Sequence, residues 1–127
     1  LAHRDGENLA VRRKLAQSAR TRGDWEALRL WAREVLFLDF EDAEAHVWVG
    51  EAAAARQQTH RARVAFETAL QFDERCVAAR LGLARLELRL GRIPEAQAQV
   101  RAALQADPEN PEAAALEREL AQEQTPP

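Results

Sequence analysis

Leu28, Ala62 and Ala96 stand 34 residues apart, and so do Val35, Ala69 and Ala103. The same step relates Leu36, Leu70 and Leu104, relates Asp39, Asp73 and Asp107, and sets Gly23, Gln57 and Gly91 in one column. A fixed period of this length is the signature of a helical solenoid. Each unit is too small to bury its own apolar face and gains its stability by stacking on its neighbours. Such a repeat shifts the functional question from which reaction the chain runs to what its surface holds.

Punctuation residues place the helices. Residues 1–8 carry no period and read as a loop or frayed lead-in. A helix is expected over 9–22, stopped by Gly23 in a left-handed cap, and Asp24 N-caps a second over 25–38. A third should span 43–56. Gln57-Gln58-Thr59 then replaces the expected glycine turn, with Thr59 as N-cap of a fourth helix over 60–72. A fifth, 77–90, ends at Gly91. Pro94 sits in the first turn of a sixth, where its missing N–H costs nothing, and that helix ends near Ala106. Asp107-Pro108-Glu109-Asn110 breaks the pattern, and Asn110 caps a seventh helix that starts at Pro111 and ends near Glu123. Residues 124–127 read as a tail. Connections this short make neighbouring helices antiparallel, and abundant Ala both favours helix and lets helices approach closely. The fold class is therefore all-α, an α-solenoid of antiparallel helix pairs over 9–123. Its units are 9–42, 43–76 and 77–110, with a capping helix over 111–123.

Composition removes several function classes. Asp and Glu outnumber Lys and Arg, 21 to 18, for a net charge of −3; phosphate-driven binding needs clustered positive charge, so no nucleic acid is expected. No apolar run approaches the roughly 18 residues of a membrane span, and no signal peptide is visible. Lys14 is the sole lysine beside many arginines, which reads as a GC-rich bacterial origin. A chain without any Met, residue 1 included, reads as a piece of a longer one, and the compartment, cytoplasmic or periplasmic, stays open. Cys76 is the single cysteine, so no internal disulfide forms; it reads as a half-buried loop residue.

No catalytic constellation is present. Ser18, the only serine, has no His or Asp near it in sequence, and no nucleophile-elbow, zinc-protease or phosphate-loop string occurs. His3, His46 and His60 are not at metal-ligand spacing; His46 falls in a packing column and His60 begins a helix. The many Glu and Arg residues read as solvated faces with i,i+4 pairing. Neither a cofactor nor a metal is implied, and the chain reads as a non-enzyme.

The residues in these columns resemble the tetratricopeptide repeat. Val49-Gly50, Ala62, Phe66 and Ala69 carry the likeness in the second unit, and Leu83-Ala84, Ala96, Val100, Ala103 and Pro108 in the third. The first unit keeps Leu15-Ala16 and Val35 but has Phe40 where the family has Pro. The family's two aromatic columns are lost to Arg12, His46 and Arg80, and to Ala19, Ala53 and Glu87. The resemblance covers 9–110. It implies a right-handed superhelix and protein–protein interaction through a concave groove lined by the first helix of each unit.

The family's groove columns fall on Arg13, Lys14, Gln17, Arg20 and Thr21, on Val47, Trp48, Glu51 and Ala54, and on Leu81, Gly82, Arg85, Leu88 and Arg89. These are also the positions left over once core-facing columns are assigned. Two basic walls, Arg13/Lys14/Arg20 and Arg85/Arg89, would flank an apolar floor of Val47, Trp48 and Leu81. Arg grips carboxylates with paired hydrogen bonds and an exposed Trp is an effective anchor. The expected partner is a protein or peptide, acidic or ending in a free carboxylate, with one apolar anchor. The family's clamp for heat-shock chaperone C-termini falls on Arg13, Gln17, Trp48, Ala78 and Gly82; three of these do not fit it, so no such binding is expected.

A second surface competes with the groove. Leu30 and Phe37 share a face of the second helix, with Trp31 beside them, where later units have Val64 with Gln71 and Ala98 with Gln105. The stripe would mark an interface, covered by residues 1–8, by a preceding unit or by a second copy as a homo-oligomer. The competing reading of function is thus a structural or self-association module appended to a larger bacterial enzyme or assembly factor, exported or cytoplasmic.

Overall fold

A computed structural model describes residues 2–123, with side chains from residue 8 onward. Among the described residues the chain forms seven helices and no strand: α1 Ala2–Arg22, α2 Trp25–Leu38, α3 Ala43–Ala55, α4 Thr59–Phe72, α5 Val77–Arg89, α6 Ile93–Ala106 and α7 Pro111–Glu123. The segment expected as a lead-in is helical from Ala2, because nothing in residues 2–8 stops a helix nucleated by the packed turns that follow. The tail at 124–127 lies outside the described residues.

The caps are those that short polar side chains supply. Asp24 Oδ1 accepts from the Ala27 N–H, Asp42 Oδ1 from Ala45 and Asn110 Oδ1 from Ala113, each satisfying an amide the helix leaves free. Thr59 is not a cap. It is the first residue of α4, and Gln58 before it makes no side-chain cap bond. The chain reverses at Gly23, Gln57 and Gly91 with φ of 71°, 61° and 74°. Gln57 is thus an L-residue held in the left-handed region that its two column-mates fill with glycine. Gln57→Gly is expected to raise stability by about 1 kcal/mol in urea denaturation; an unchanged midpoint would show that the Gln57 backbone is unstrained.

Two layers follow from which helices touch. In the first layer α1, α3, α5 and α7 lie side by side, whereas α2, α4 and α6 meet the first layer but not one another. A layer whose members touch is shorter than one whose members splay, so the stack curves with α1, α3, α5 and α7 inside. Ala16, Ala19, Leu28, Ala32, Val35, Ala45, Trp48 and Ala52 fill the first core region. A second forms around Phe66, Ala69, Ala79, Leu83 and Leu86, and a third around Leu81, Val100, Ala103, Leu116 and Leu120. Alanine columns let α3, α5 and α7 nest in their predecessors, and Leu116 and Leu120 bury the inner face of α7 while Glu117, Arg118 and Glu119 face water. No helix among the described residues is long and apolar enough to cross a membrane.

Candidate functional site

The concave face offers one hollow of about 400 Å³ between α1, α3 and α5. Gln17, Arg20, Thr21, Glu44, Val47, Trp48, Glu51 and Ala78 line it. Six of the expected groove residues (Gln17, Arg20, Thr21, Val47, Trp48 and Glu51) therefore converge. Glu44 and Ala78 join them; Glu44 sits one turn of α3 before Trp48, a spacing that would have found it. A second hollow of about 190 Å³ is lined by Trp25, Glu51, Ala54, Ala55, Phe66, Gly82, Arg85, Leu86 and Arg89. Glu51 borders both, so the expected groove divides around it. Arg13, Lys14, Leu81 and Leu88 line neither hollow.

The apolar floor is a correction. Trp48 is 2% exposed, and Val47 and Leu81 are equally buried. The Trp48 indole fills the space between α1 and α2, with the Arg13 guanidinium 5.2 Å above its ring, a contact favourable for cation and quadrupole alike. A Trp in a unit whose neighbours are alanine packs inward because that is where large volume is missing. Only an edge of it reaches the hollow.

The basic walls are corrected as well. Arg13 bridges Asp42 and Glu44. Arg20 forks onto both oxygens of Glu51 at 2.8 and 2.9 Å, and Arg85 reaches Glu112 at 3.2 Å. Arg89 donates to the Ala54 carbonyl oxygen at 3.3 Å. Lys14 is exposed and without an ion pair among the described residues. The hydrogen bond that Arg20 donates to Glu51 holds its guanidinium above its ordinary pKa against the cost of its partial burial. Most of these pairs join different helices rather than i,i+4 positions, because stacking sets equivalent turns of successive units side by side. The face is zwitterionic, with each of these four arginines already holding a carboxylate or carbonyl.

The remaining candidates are structural or thin. His46 is buried, donates a hydrogen bond from Nε2 to the Phe40 carbonyl oxygen at 2.8 Å, stacks on Phe72 and meets the edge of Phe40. His60 is exposed and the side chain of His3 lies outside the described residues. Cys76 is half-buried at the N-cap of α5, and burial raises its thiol pKa, against a backbone hydrogen bond from Ala79. With less thiolate at neutral pH, Cys76 should react with a disulfide reagent more slowly than free cysteine; an equal rate would mean an open site.

On α2, Ala27, Leu30, Trp31, Arg33, Glu34 and Phe37 bound a hollow of about 780 Å³. Phe37 is 86% exposed and Leu30 49%, while Trp31 packs partly against the first core region. The structure thus gathers the three residues of the expected second surface.

Known proteins share this architecture. The Arabidopsis OM64 TPR domain is 23% identical, covers 93% of this chain and 98% of its own, and superposes with a TM-score of 0.80. The first TPR domain of Spaghetti (RPAP3), bound to the HSP90 peptide SRMEEVD, is 14% identical with a TM-score of 0.82, over 92% of this chain and 95% of that one. The Yersinia enterocolitica type III secretion chaperone SycD, in complex with a peptide of the translocator YopD, is 19% identical with a TM-score of 0.76, over 91% and 88%. At these identities the likeness concerns the fold. No curated protein sequence matches the chain. A family model described as Tetratricopeptide repeat matches residues 53–120, more than half of the sequence, so the chain belongs to the tetratricopeptide-repeat family.

Proposed function

We propose that this domain is a non-catalytic protein-interaction module that holds an extended peptide or partner segment across its concave layer. In this reading the repeats are 9–42, 43–76 and 77–110, closed by 111–123. The observation that carries it is the Arg20–Glu51 fork at the mouth of the hollow between α1, α3 and α5. The fork is a carboxylate site occupied by the protein's own carboxylate. A peptide side-chain or terminal carboxylate can take the place of Glu51, since the exposed pair itself contributes only about 0–1 kcal/mol and Arg geometry suits either acceptor. Trp48 is not the anchor in this account; Gln17, Thr21 and Ala78 offer the remaining contacts. Peptide complexes of RPAP3 and SycD show that this fold takes peptides elsewhere.

A fluorescein-labelled peptide library, synthesised with free and with amidated C-termini, tests this by polarisation. Acidic or free-carboxylate peptides should bind, Arg20→Ala should weaken them about tenfold and Glu51→Ala should strengthen them. Equal binding of acidic and neutral, free and amidated peptides, unaffected by Arg20→Ala, would discard the carboxylate exchange.

A second reading, self-association or docking through α2, is favoured by Phe37 and Leu30. If Phe37 is surface rather than core, Phe37→Ser should change monomer stability by no more than about 0.5 kcal/mol. A loss of several kcal/mol in chemical denaturation would make it core.

A further inference from the structure

The stripe on α2 is apolar where the stack does not require it. Its counterparts on α4, Val64 and Gln71, stay exposed although a helix pair already precedes α4. A further pair preceding α1 would by the same geometry leave Leu30 and Phe37 uncovered. Such a pair would instead cover Val11, which is 55% exposed while its column-mates Ala45, Ala79 and Ala113 are fully buried. Anything that covers the stripe therefore comes from outside the solenoid's own stacking.

The residues of the stripe describe that occupant. Arg33 and Glu34 are adjacent, exposed and of opposite sign, and Arg33 has no ion pair among the described residues; Glu34 has only Arg12, at 3.6 Å. Leu30 and Phe37 stand equally far on either side of them. Two copies of α2 crossing antiparallel about a two-fold axis between Arg33 and Glu34 set Leu30 against Phe37 and each Arg33 against the partner's Glu34. A two-fold contact requires this self-complementarity, and an unrelated partner does not.

We propose that the domain forms a two-fold dimer through α2, in which Phe37 of each copy enters the hollow beside Leu30 and Ala27 of the other and Arg33 pairs with Glu34 across the axis. This rests on reading the α2 stripe as an interface and names its occupant as a second copy. It does not involve the concave face, so both surfaces can work at once.

Sedimentation equilibrium of the 127-residue chain decides it. The wild type is expected to be dimeric, and Phe37→Ser to raise the dissociation constant at least roughly thirtyfold. Arg33→Glu and Glu34→Arg each bring like charges together and should each weaken the dimer about tenfold. An equimolar mixture of these two variants should recover wild-type association as a heterodimer, which no structural role for either residue would produce. Matching thermal melts confirm that Glu34→Arg, which also loses Arg12, remains folded. A wild type that stays monomeric at millimolar concentration overturns the second-copy proposal and leaves peptide binding untouched. A dimer that Phe37→Ser dissociates but the charge mixture does not restore overturns the two-fold register while upholding the stripe as an interface.

Discussion

Phe66→Ala is expected to destabilise the domain by about 3–5 kcal/mol, the cost of removing a buried ring and leaving its cavity. The ring is the wedge between two units. It projects from α4 against the bare Cα atoms of Gly50 in α3 and Gly82 in α5. An added methyl would lie 2.6 Å from the ring at Gly50 and 2.5 Å at Gly82. Gly50→Ala or Gly82→Ala should therefore cost about 1–3 kcal/mol each by overpacking, although alanine is the better helix former. The two effects share one space and cannot add. In the Phe66→Ala background Gly82→Ala should cost nothing or stabilise, giving a coupling of about 1–3 kcal/mol. Urea denaturation of the four proteins of that cycle measures it. Additive losses would mean that the ring and the glycines do not share a constraint.

Arg63→Met is expected to cost roughly 2–3 kcal/mol, somewhat below the ~3–5 kcal/mol of a fully buried pair, since Arg63 is itself 27% exposed. Glu87 is the reason. Its side chain is 5% exposed, Oε1 is paired with Arg63, and Oε2 has no hydrogen bond, its nearest cation being Arg92 at 3.7 Å. Without Arg63 a buried carboxylate keeps only that long contact. Removing the acid is different, because Arg63 can turn its guanidinium to water. Glu87→Leu should cost about 1 kcal/mol or less, and Arg63→Met with Glu87→Leu should return close to wild type. Equal losses for the two single variants, in the same denaturation assay, would show that the charge of Glu87 is solvated.

Glu87 also shows where the one-dimensional pattern misleads. Its column is filled by Ala19 and Ala53, both buried, so the period marks position 87 as interior while the residue type suggests a solvated face. The residue that resolves this conflict, Arg63, lies on another helix. The same holds at the candidate site. Periodicity placed Gln17, Arg20 and Glu51 on the inner face, and they do converge. It could not tell that Arg20 and Glu51 grip each other, nor that Asp42 and Glu44 hold Arg13. Trp48 was legible as an inner-face residue but not as a buried one, because its depth depends on the volume that Ala16, Ala19 and Ala52 leave empty around it.

What the sequence determined by itself was everything set by spacing along the chain. The helices from residue 9 onward, their reversals at Gly23, Gln57 and Gly91 and their caps at Asp24 and Asn110 depend on interactions within one or two turns, and the repeat, and hence the family, on the spacing of those elements. The apolar stripe on α2 belongs here too, since residues three, four and seven apart share a helix face whatever surrounds it. What only the tertiary structure decided were the pairings between residues on different helices: Arg20 with Glu51, Arg63 with Glu87, and Phe66 against Gly50 and Gly82. Those contacts depend on the angle and depth at which helices nest, which is set by the summed volumes of many side chains and is carried by no single position.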